Sequence, residues 1–447
     1  MSTATTHIDN KPSLQASHCE DEGRSKRKQS QPLAPALRFK DFDGDIDETL
    51  FGNHYSFHTT NSLSRDKLNY HKGEVRNIHY GDIHTKFQTH FHLTNEYVPF
   101  INEDVDLAKI KEDSYCKVGD LVIADASEDY ADIGKSIELI DINNEKLLAG
   151  LHTFLASPSS ESTALGYMSF LLKSWKLRKQ IMTIAQGTKV LSLSARRVSN
   201  LKLNLPSLPE QQKIASFLAA VDEKIQQLSK KKALLEAYKK GLMQQLFSCQ
   251  LRFKDENGKA YPDWEEKRLG EIAEIVGGGT PETVKPDYWD GEIQWFTPTE
   301  IRSKYISNSK RTITQSGLSK SSAKLLPAGT ILFTSRATIA ELGFATQECS
   351  TNQGFQSLIV NQNNNSEFIY QLIKVNKNEF VKKSQGSTFL EISSKEMKKM
   401  KFNTPILEEQ QKIATYLAGI DSKIENVNTQ ITQTQTFKKG LLQQLFV

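Results

Sequence analysis

Cysteine is scarce, four in 447 residues, and Cys19, Cys116, Cys249 and Cys349 stand far apart with no CxxC spacing. That argues against a disulfide framework and a zinc knuckle. No run of about 18 apolar residues exists to cross a bilayer. The opening MSTATTHIDN lacks a basic segment followed by an apolar core, so no secretory signal is expected and the expected compartment is the cytoplasm. No GxxxxGK-Ser/Thr loop cradles nucleotide phosphates, and no Asn-Pro-Pro-Tyr or Asp-Pro-Pro-Tyr lines an adenine-N6 methyltransferase pocket. A dominant charge is lacking as well: a net charge of +4 permits a polyanionic partner without requiring one. The remainder, 38% hydrophobic and 25% charged, suits an ordinary soluble chain of two or three domains.

Motifs that hint at catalysis are weak. Pro262-Asp263 with Glu265-Glu266-Lys267 resembles a metal nuclease signature only superficially, because its carboxylates are too close in sequence to sit on separate strands. Gly277-Gly278-Gly279-Thr280-Pro281 has no following lysine and reads as a turn or exposed loop. His79, His84, His90 and His92 cluster locally, but without an accompanying thiol or carboxylate signal they read as packing or phosphate-contacting groups rather than metal ligands.

What the chain does have is a repeat. Pro206–Phe247 reads PSLPEQQKIASFLAAVDEKIQQL…YKKGLMQQLF and Pro405–Phe446 reads PILEEQQKIATYLAGIDSKIENV…FKKGLLQQLF, at a constant gap-free offset of 199 (206 to 405, 247 to 446). A shorter echo, LRFKDF at Leu37 and LRFKDE at Leu251, marks the entry to two corresponding domains. The expected plan is a polar leader over 1–36, a domain over 37–205, a long helix over 206–248, a domain over 249–404 and a long helix over 405–447. The leader, with its basic Ser25–Lys28 run, reads as disordered. Each domain carries a Gly-led strand (GDLVIADAS at Gly119, GTILFTSRA at Gly329), an apolar helix (Tyr167–Leu177, Phe368–Val375) and a turn at Gln186-Gly187-Thr188 or Gln385-Gly386-Ser387. Short mixed strands and helices predict an α+β class. The remaining contents of the two domains differ.

In the long segments, apolar residues recur in steps of mostly four and three: Ile214, Leu218, Val221, Ile225, Leu228, Leu235, Leu242 and Leu246, then Ile413, Leu417, Ile420, Ile424, Val427, Ile431, Leu441 and Leu445. That spacing predicts a narrow seam suited to coiled-coil packing along a helix of roughly 60 Å, at 1.5 Å per residue. Ser207 with Glu210 suggests a capping box for the first helix, and Thr404-Pro405 an N-cap and first turn for the second. Lys232, Lys239, Thr434 and Lys438 interrupt the seam, which is either imperfect there or covered by other subunits. Two similar domains and two equivalent rods allow approximate two-fold symmetry within one chain, the arrangement that spaces half-sites on duplex DNA.

The chain thus resembles the specificity (S) subunit of type I DNA restriction-modification systems. The resemblance rests on EQQKIASFLAAVDEKI from Glu210, EQQKIATYLAGIDSKI from Glu409, the KKGLMQQLF and KKGLLQQLF endings, and YPDWEEKRLGEIAEIVGGGTP from Tyr261. It covers nearly everything after about Leu37, although the first domain lacks the Trp-Glu…Leu-Gly and Gly-Gly-Thr-Pro opening. The resemblance implies two target-recognition domains, two long antiparallel coiled-coil helices and no catalysis by this chain. Each domain would read one half of a bipartite duplex target. The helices would set the spacing and dock two modification subunits, which methylate adenine with S-adenosylmethionine, joined by two ATP- and Mg2+-dependent restriction subunits. No cofactor is expected in this chain, and no membrane partner. The competing expectation is a coiled-coil scaffold that reads no DNA.

Base reading needs Arg, Asn, Gln, Ser, Thr or acidic side chains projected into a groove. The candidates in the first domain are Thr59, Thr60, Asn61, Ser64, Arg65, His79, Tyr80, Asp82, His84 and Lys86. In the second they are Thr297, Thr299, Glu300, Thr334, Ser335, Arg336, Thr338, Asn352 and Gln353. Phosphate contacts are expected from Lys173, Lys176, Arg178, Lys179, Arg196, Arg197, Lys395, Lys398 and Lys399. Partner docking is expected along the helices at Gln211, Ile214, Leu218, Val221, Ile225, Leu242, Leu246, Gln410, Ile413, Leu417, Ile420, Ile424, Leu441 and Leu445.

Overall fold

The computed structural model describes residues 34–159, 161–336, 338–386 and 390–446. Nearly all of the polar leader, with its basic run, and Ser387 lie outside them. The chain divides into two compact units, Met1–Ala219 with Lys439–Val447, and Ala220–Lys438.

In the first unit, β1 (Asp47–Leu50), β2 (Tyr55–His58), β3 (Leu68–Asn69) and β4 (Val75–Ile78) precede helix α1 (Tyr80–Thr85). Then come β5 (His90–His92), β6 (Phe100–Ile101), β7 (Leu121–Ala124), β8 (Ala126–Ser127), β9 (Ser136–Asp141), β10 (Lys146–Ala149) and β11 (Thr153–Pro158). Helices α2 (Tyr167–Leu171) and α3 (Trp175–Ile184), strand β12 (Leu191–Ser192), helix α4 (Ala195–Ser199) and strand β13 (Lys202–Leu205) lead into α5 (Leu208–Phe247). The main sheet runs β2-β11-β7-β9-β5, antiparallel throughout except for the parallel β9–β5 edge. A second sheet runs β10-β4-β6-β3, with β10 and β4 parallel. Strand β7 reads LVIA without alternation because both faces are covered. Phe91, Val122, Leu139 and Leu155 fill the core beneath it. The apolar run read as one helix over Tyr167–Leu177 is two. Ser174 has extended backbone and accepts from Leu177 N, which starts α3 afresh.

The second unit repeats the plan. Its elements are β14 (Glu265–Arg268), α6 (Leu269–Ile272), β15 (Ala273–Gly277), β16 (Trp289–Phe296), β17 (Tyr305–Ile306), β18 (Arg311–Ile313) and α7 (Gln315–Ser319). Strands β19 (Ile331–Phe333), β20 (Leu342–Ala345), β21 (Cys349–Thr351) and β22 (Gln356–Val360) follow, then α8 (Ser366–Val375), α9 (Lys377–Lys382), α10 (Ser394–Lys399), β23 (Lys401–Thr404) and α11 (Leu407–Gln444). Its main sheet, β15-β22-β19-β20-β17, has the same sequence of antiparallel pairs closed by a parallel edge. Its second sheet, β18-β16-β21, again contains one parallel pair. Mixed α/β architecture, expected from the sequence, is therefore built twice on one topology. The Gln-Gly turn recurs as well. Gly187 and Gly386 have φ of 121° and 126°, and a Cβ on Gly187 would lie 2.0 Å from the Val190 carbonyl oxygen, so only glycine fits there.

Each long helix is entered from a short strand: β13 pairs with β1, and β23 with β14. Thr404 therefore belongs to a strand, opposite Glu265, and α11 begins at Leu407 rather than at the Thr404-Pro405 start expected from the sequence.

Candidate nucleic-acid interface

In the second unit, loops at the ends of β16, β19 and β21 meet along one rim. Asn352 N donates to Phe296 O (3.0 Å), Ser335 N donates to Gly354 O (2.8 Å), and Thr280 Oγ1 donates to Gln353 Oε1. The glycine loop supplies the fit: a Cβ on Gly278 would lie 2.0 Å from Asn352 O, and one on Gly279 would lie 2.3 Å from Ala323 N. Thr299, Arg336, Thr338 and Gln353 are exposed on this rim, and Asn352 is half-buried. Arg336 is steadied by Glu391 (2.9 Å). Four other candidates are committed elsewhere. Thr334 and Ser335 are 0% exposed, so neither reaches a base; Thr334 Oγ1 instead accepts from Glu341 N. Thr297 and Glu300 close a capping box on each other (2.7 Å), and Glu300 also accepts from Lys310 N.

The first-unit candidates also converge. Asn61 N donates to Ala149 O, its amide donates to Asn77 Oδ1 (2.6 Å), and Thr60 Oγ1 donates to Thr153 O. Thr59 and Ser64 are exposed, Ser64 donating to Asp66. His79 is buried and accepts from Gly81 N, which starts α1, and its ring stacks on Tyr80 at 4.7 Å. Asp82 is 0% exposed and cannot contact a base; Arg65 and Lys86 both bind it. His84 Nε2 meets Ala126 O (3.1 Å), and His90 Nε2 meets Gly166 O (2.8 Å), so the histidines are dispersed into separate bonds. Among the described residues no group of three or more His, Cys, Asp or Glu is disposed to hold a metal ion.

The basic clusters divide. Lys173, Arg178 and Arg197 turn inward, onto Thr89, the Tyr130 and Ala131 carbonyls, and Ile184 O, and Lys399 bonds Glu396. Lys176, Lys179, Arg196, Lys395 and Lys398 stay exposed.

On the helices, the expected docking side chains are largely interior. Ile214, Leu218, Leu246, Ile413, Leu417, Leu441 and Leu445 are at most 4% exposed, Val221, Leu242 and Ile420 at most 9%, and Ile225 and Ile424 half-buried. Gln211 and Gln410 clamp each helix start to its own domain. Gln211 accepts from Ala164 N and donates to Pro206 O; Gln410 accepts from Asn365 N and donates to Pro405 O. These residues build the rods, so the expected docking positions face the interior rather than a partner.

The sequence reading missed the partners that hold the helices. Arg38 binds Glu210 in a two-pronged pair (2.8 and 2.7 Å), and Arg252 binds Glu409 likewise (3.2 and 2.8 Å). Phe39 meets Phe217 and Phe253 meets Tyr416, each at 5.6 Å. The LRFKD echo was the available signal, since it sets the same Arg and Phe before both domains. Within the second unit α5 and α11 run antiparallel: Asp222 pairs with Lys438 (2.5 Å), Lys232 with Asn428 (2.8 Å) and Lys239 with Asp421 (2.6 Å). The lysines that interrupt the seam are thus satisfied inside the chain.

A model of the type I restriction modification DNA specificity domain matches residues 70–237 and again 261–435. The chain is 40% identical over 190 residues to the type I restriction enzyme MjaIX specificity subunit of Methanocaldococcus jannaschii, across 41% of this chain and 44% of that protein. It is 29% identical over 170 residues to the type I restriction enzyme EcoR124I/EcoR124II specificity subunit of Escherichia coli, across 36% of this chain and 42% of that one. It thus spans less than half the length of either relative. The crystal structure of the type I restriction-modification system S subunit from M. genitalium shares the fold, with a TM-score of 0.56 at 15% identity over 93% of this chain and 99% of that one. With two family matches that together take in more than half of its sequence, the chain belongs to the type I restriction modification DNA specificity domain family.

Proposed function

We propose that this chain is the DNA-reading, non-catalytic specificity subunit of a type I restriction-modification complex. The observation that carries the reading is one topology built twice with different residues at equivalent rims, which suits two readers of two different half-sites. Family membership supports it, as do the exposed Thr299, Arg336, Thr338 and Gln353 on one rim and Thr59, Arg65 and Lys86 on the other. Recognition domains over 37–205 and 249–404 would each bind one half of the bipartite duplex target. Helices over 206–248 and 405–447 would form the antiparallel coiled coil between them.

Approximate two-fold symmetry is supported by the ion pairs. Under the 199 offset Asp222 becomes Asp421 and Lys239 becomes Lys438, so Asp222–Lys438 and Lys239–Asp421 are the same contact made twice. Two modification subunits carrying S-adenosylmethionine, and two restriction subunits using ATP and Mg2+, would supply the chemistry in the cytoplasm.

The test is to purify the chain with its methyltransferase partner and map adenine methylation across a genome. A bipartite motif is expected. Exchanging residues 251–400 for those of a relative should replace one half and keep the other. Absence of any motif sinks the reading in favour of a scaffold; change in both halves sinks the assignment of one domain to one half-site.

A further inference from the structure

Asp82, Arg65 and Lys86 form an inverted ion cluster: the anion is interior and the cations face outward. Asp82 sits in the first turn of α1 and is 0% exposed, whereas Arg65 and Lys86 side chains remain 45% and 50% exposed. Arg65 Nη2 donates to Asp82 Oδ1 (2.8 Å) and Nη1 to Oδ2 (3.0 Å), and Lys86 Nζ lies 2.8 Å from Oδ1. Burial pushes the Asp82 carboxyl up, but its bonds to Arg65 and Lys86 hold it below the ordinary carboxylate range, so it stays charged.

Burying the carboxylate carries a desolvation cost, which its bonds to the two half-exposed cations outweigh. The same bonds fix the direction of the Arg65 guanidinium. End-on pairing engages one hydrogen of each terminal guanidinium nitrogen. Nε–H and the second Nη2 hydrogen then stand side by side on the adjoining edge, a two-donor fork matching guanine O6 and N7. The Tyr70 hydroxyl, 3.3 Å from Nη1, and the Tyr70–Tyr97 ring stack (4.5 Å) limit the swing of the guanidinium.

We propose that Arg65 is the guanine-reading side chain of the first domain and that Asp82 is its positioning residue, with Lys86 as the flanking cation. This rests on the proposed function and sharpens it to one base in one half-site. A phosphate could take the same planar fork bidentately; the two targets differ in that a base contact fixes one position of the motif and a phosphate contact fixes none.

The experiment maps adenine-methylation motifs for the assembled complex carrying wild type, Arg65→Ala, Arg65→Lys, Asp82→Asn, or Asp82→Asn with Arg65→Ala, each checked by thermal melting. Wild type should show a bipartite motif with a fixed G·C pair in one half. Arg65→Ala should relax that position alone, lowering the preference for G·C about 10- to 100-fold, the range for a bidentate base contact. Asp82→Asn should relax the same position, and the double variant should add nothing further, as expected of residues acting as a unit. If Asp82→Asn unfolds, Arg65→Lys decides alone, since it keeps the charge, loses the fork and should still relax that one position. Uniform weakening at every position would assign Arg65 to a phosphate and overturn the inference, as would an unchanged motif. A wild-type complex with no bipartite motif would overturn the proposed function instead.

Discussion

Glu138 is an acid in the middle of an apolar strand, 1% exposed in β9. Its two oxygens accept from Gly166 N (2.6 Å) and Ser169 N (3.0 Å). Gly166, at φ 84°, has no side chain with which to cap α2, so a carboxylate 28 residues away satisfies the helix start. Burial pushes its pKa up from 4.5 to about 7. The folded chain therefore keeps a proton that the unfolded chain has lost between those values, and stability falls as pH rises through that window. In melts of wild type and Glu138→Gln, the wild-type advantage should shrink from pH 5 to pH 7.5 and then level off. An advantage that grows with pH would contradict the burial argument. At pH 5 the variant should be less stable by about 1–3 kcal/mol, because its amide NH2 leaves one helix N–H unsatisfied.

Between the long helices, the two repeat-related ion pairs are not energetically equal. Asp421 also receives Lys304 (3.3 Å), which reaches it from the segment before β17, while Asp222 takes two bonds from Lys438 (2.5 and 2.7 Å). Lys438→Asp should destabilise the second unit by about 2–4 kcal/mol, placing two carboxylates together in a partly buried site. Adding Asp222→Lys should recover at least half of that loss. The matching exchange of Lys239 and Asp421 should recover less, because Lys304 would then face a lysine. Denaturant melts of the four single and two double variants test this, and equal recovery would refute the asymmetry. The same residues mark how far the sequence could be read. Periodicity located both helices to within three residues and identified their buried faces, because burial imposes the spacing. It also flagged Lys239 and Lys438 as breaks in the seam. It could not name their partners, since an antiparallel register pairs residues about 200 apart, and nothing local encodes that distance. Thr334 and Ser335 were misjudged for a related reason: at the end of a strand, polarity alone does not distinguish a side chain facing out from one folded under a loop.

For the whole molecule, the question is whether the helix pair acts as a ruler between half-sites. Lengthening one helix alone would displace Lys232 from Asn428 and Lys239 from Asp421 by about 10 Å, at 1.5 Å per residue over a heptad. Such a variant should fail to assemble, which would say nothing about spacing. The informative variant inserts one heptad in each helix, between Lys232 and Lys239 and between Asp421 and Asn428. Both insertions preserve the antiparallel register and extend the seam by two apolar positions. The rod then lengthens by about 10 Å, or about three base pairs at 3.4 Å per step. A heptad turns a helix back by only about 20°. Three base pairs turn the duplex by about 100°, taking 10–10.5 base pairs per turn. The lengthened rod would therefore present one reader to the wrong face of its groove. The expected outcome is a methylation motif with both half-sites intact, a spacer longer by about three base pairs, and weaker methylation overall. Retention of the original spacer at full strength would show that something other than these helices measures the distance.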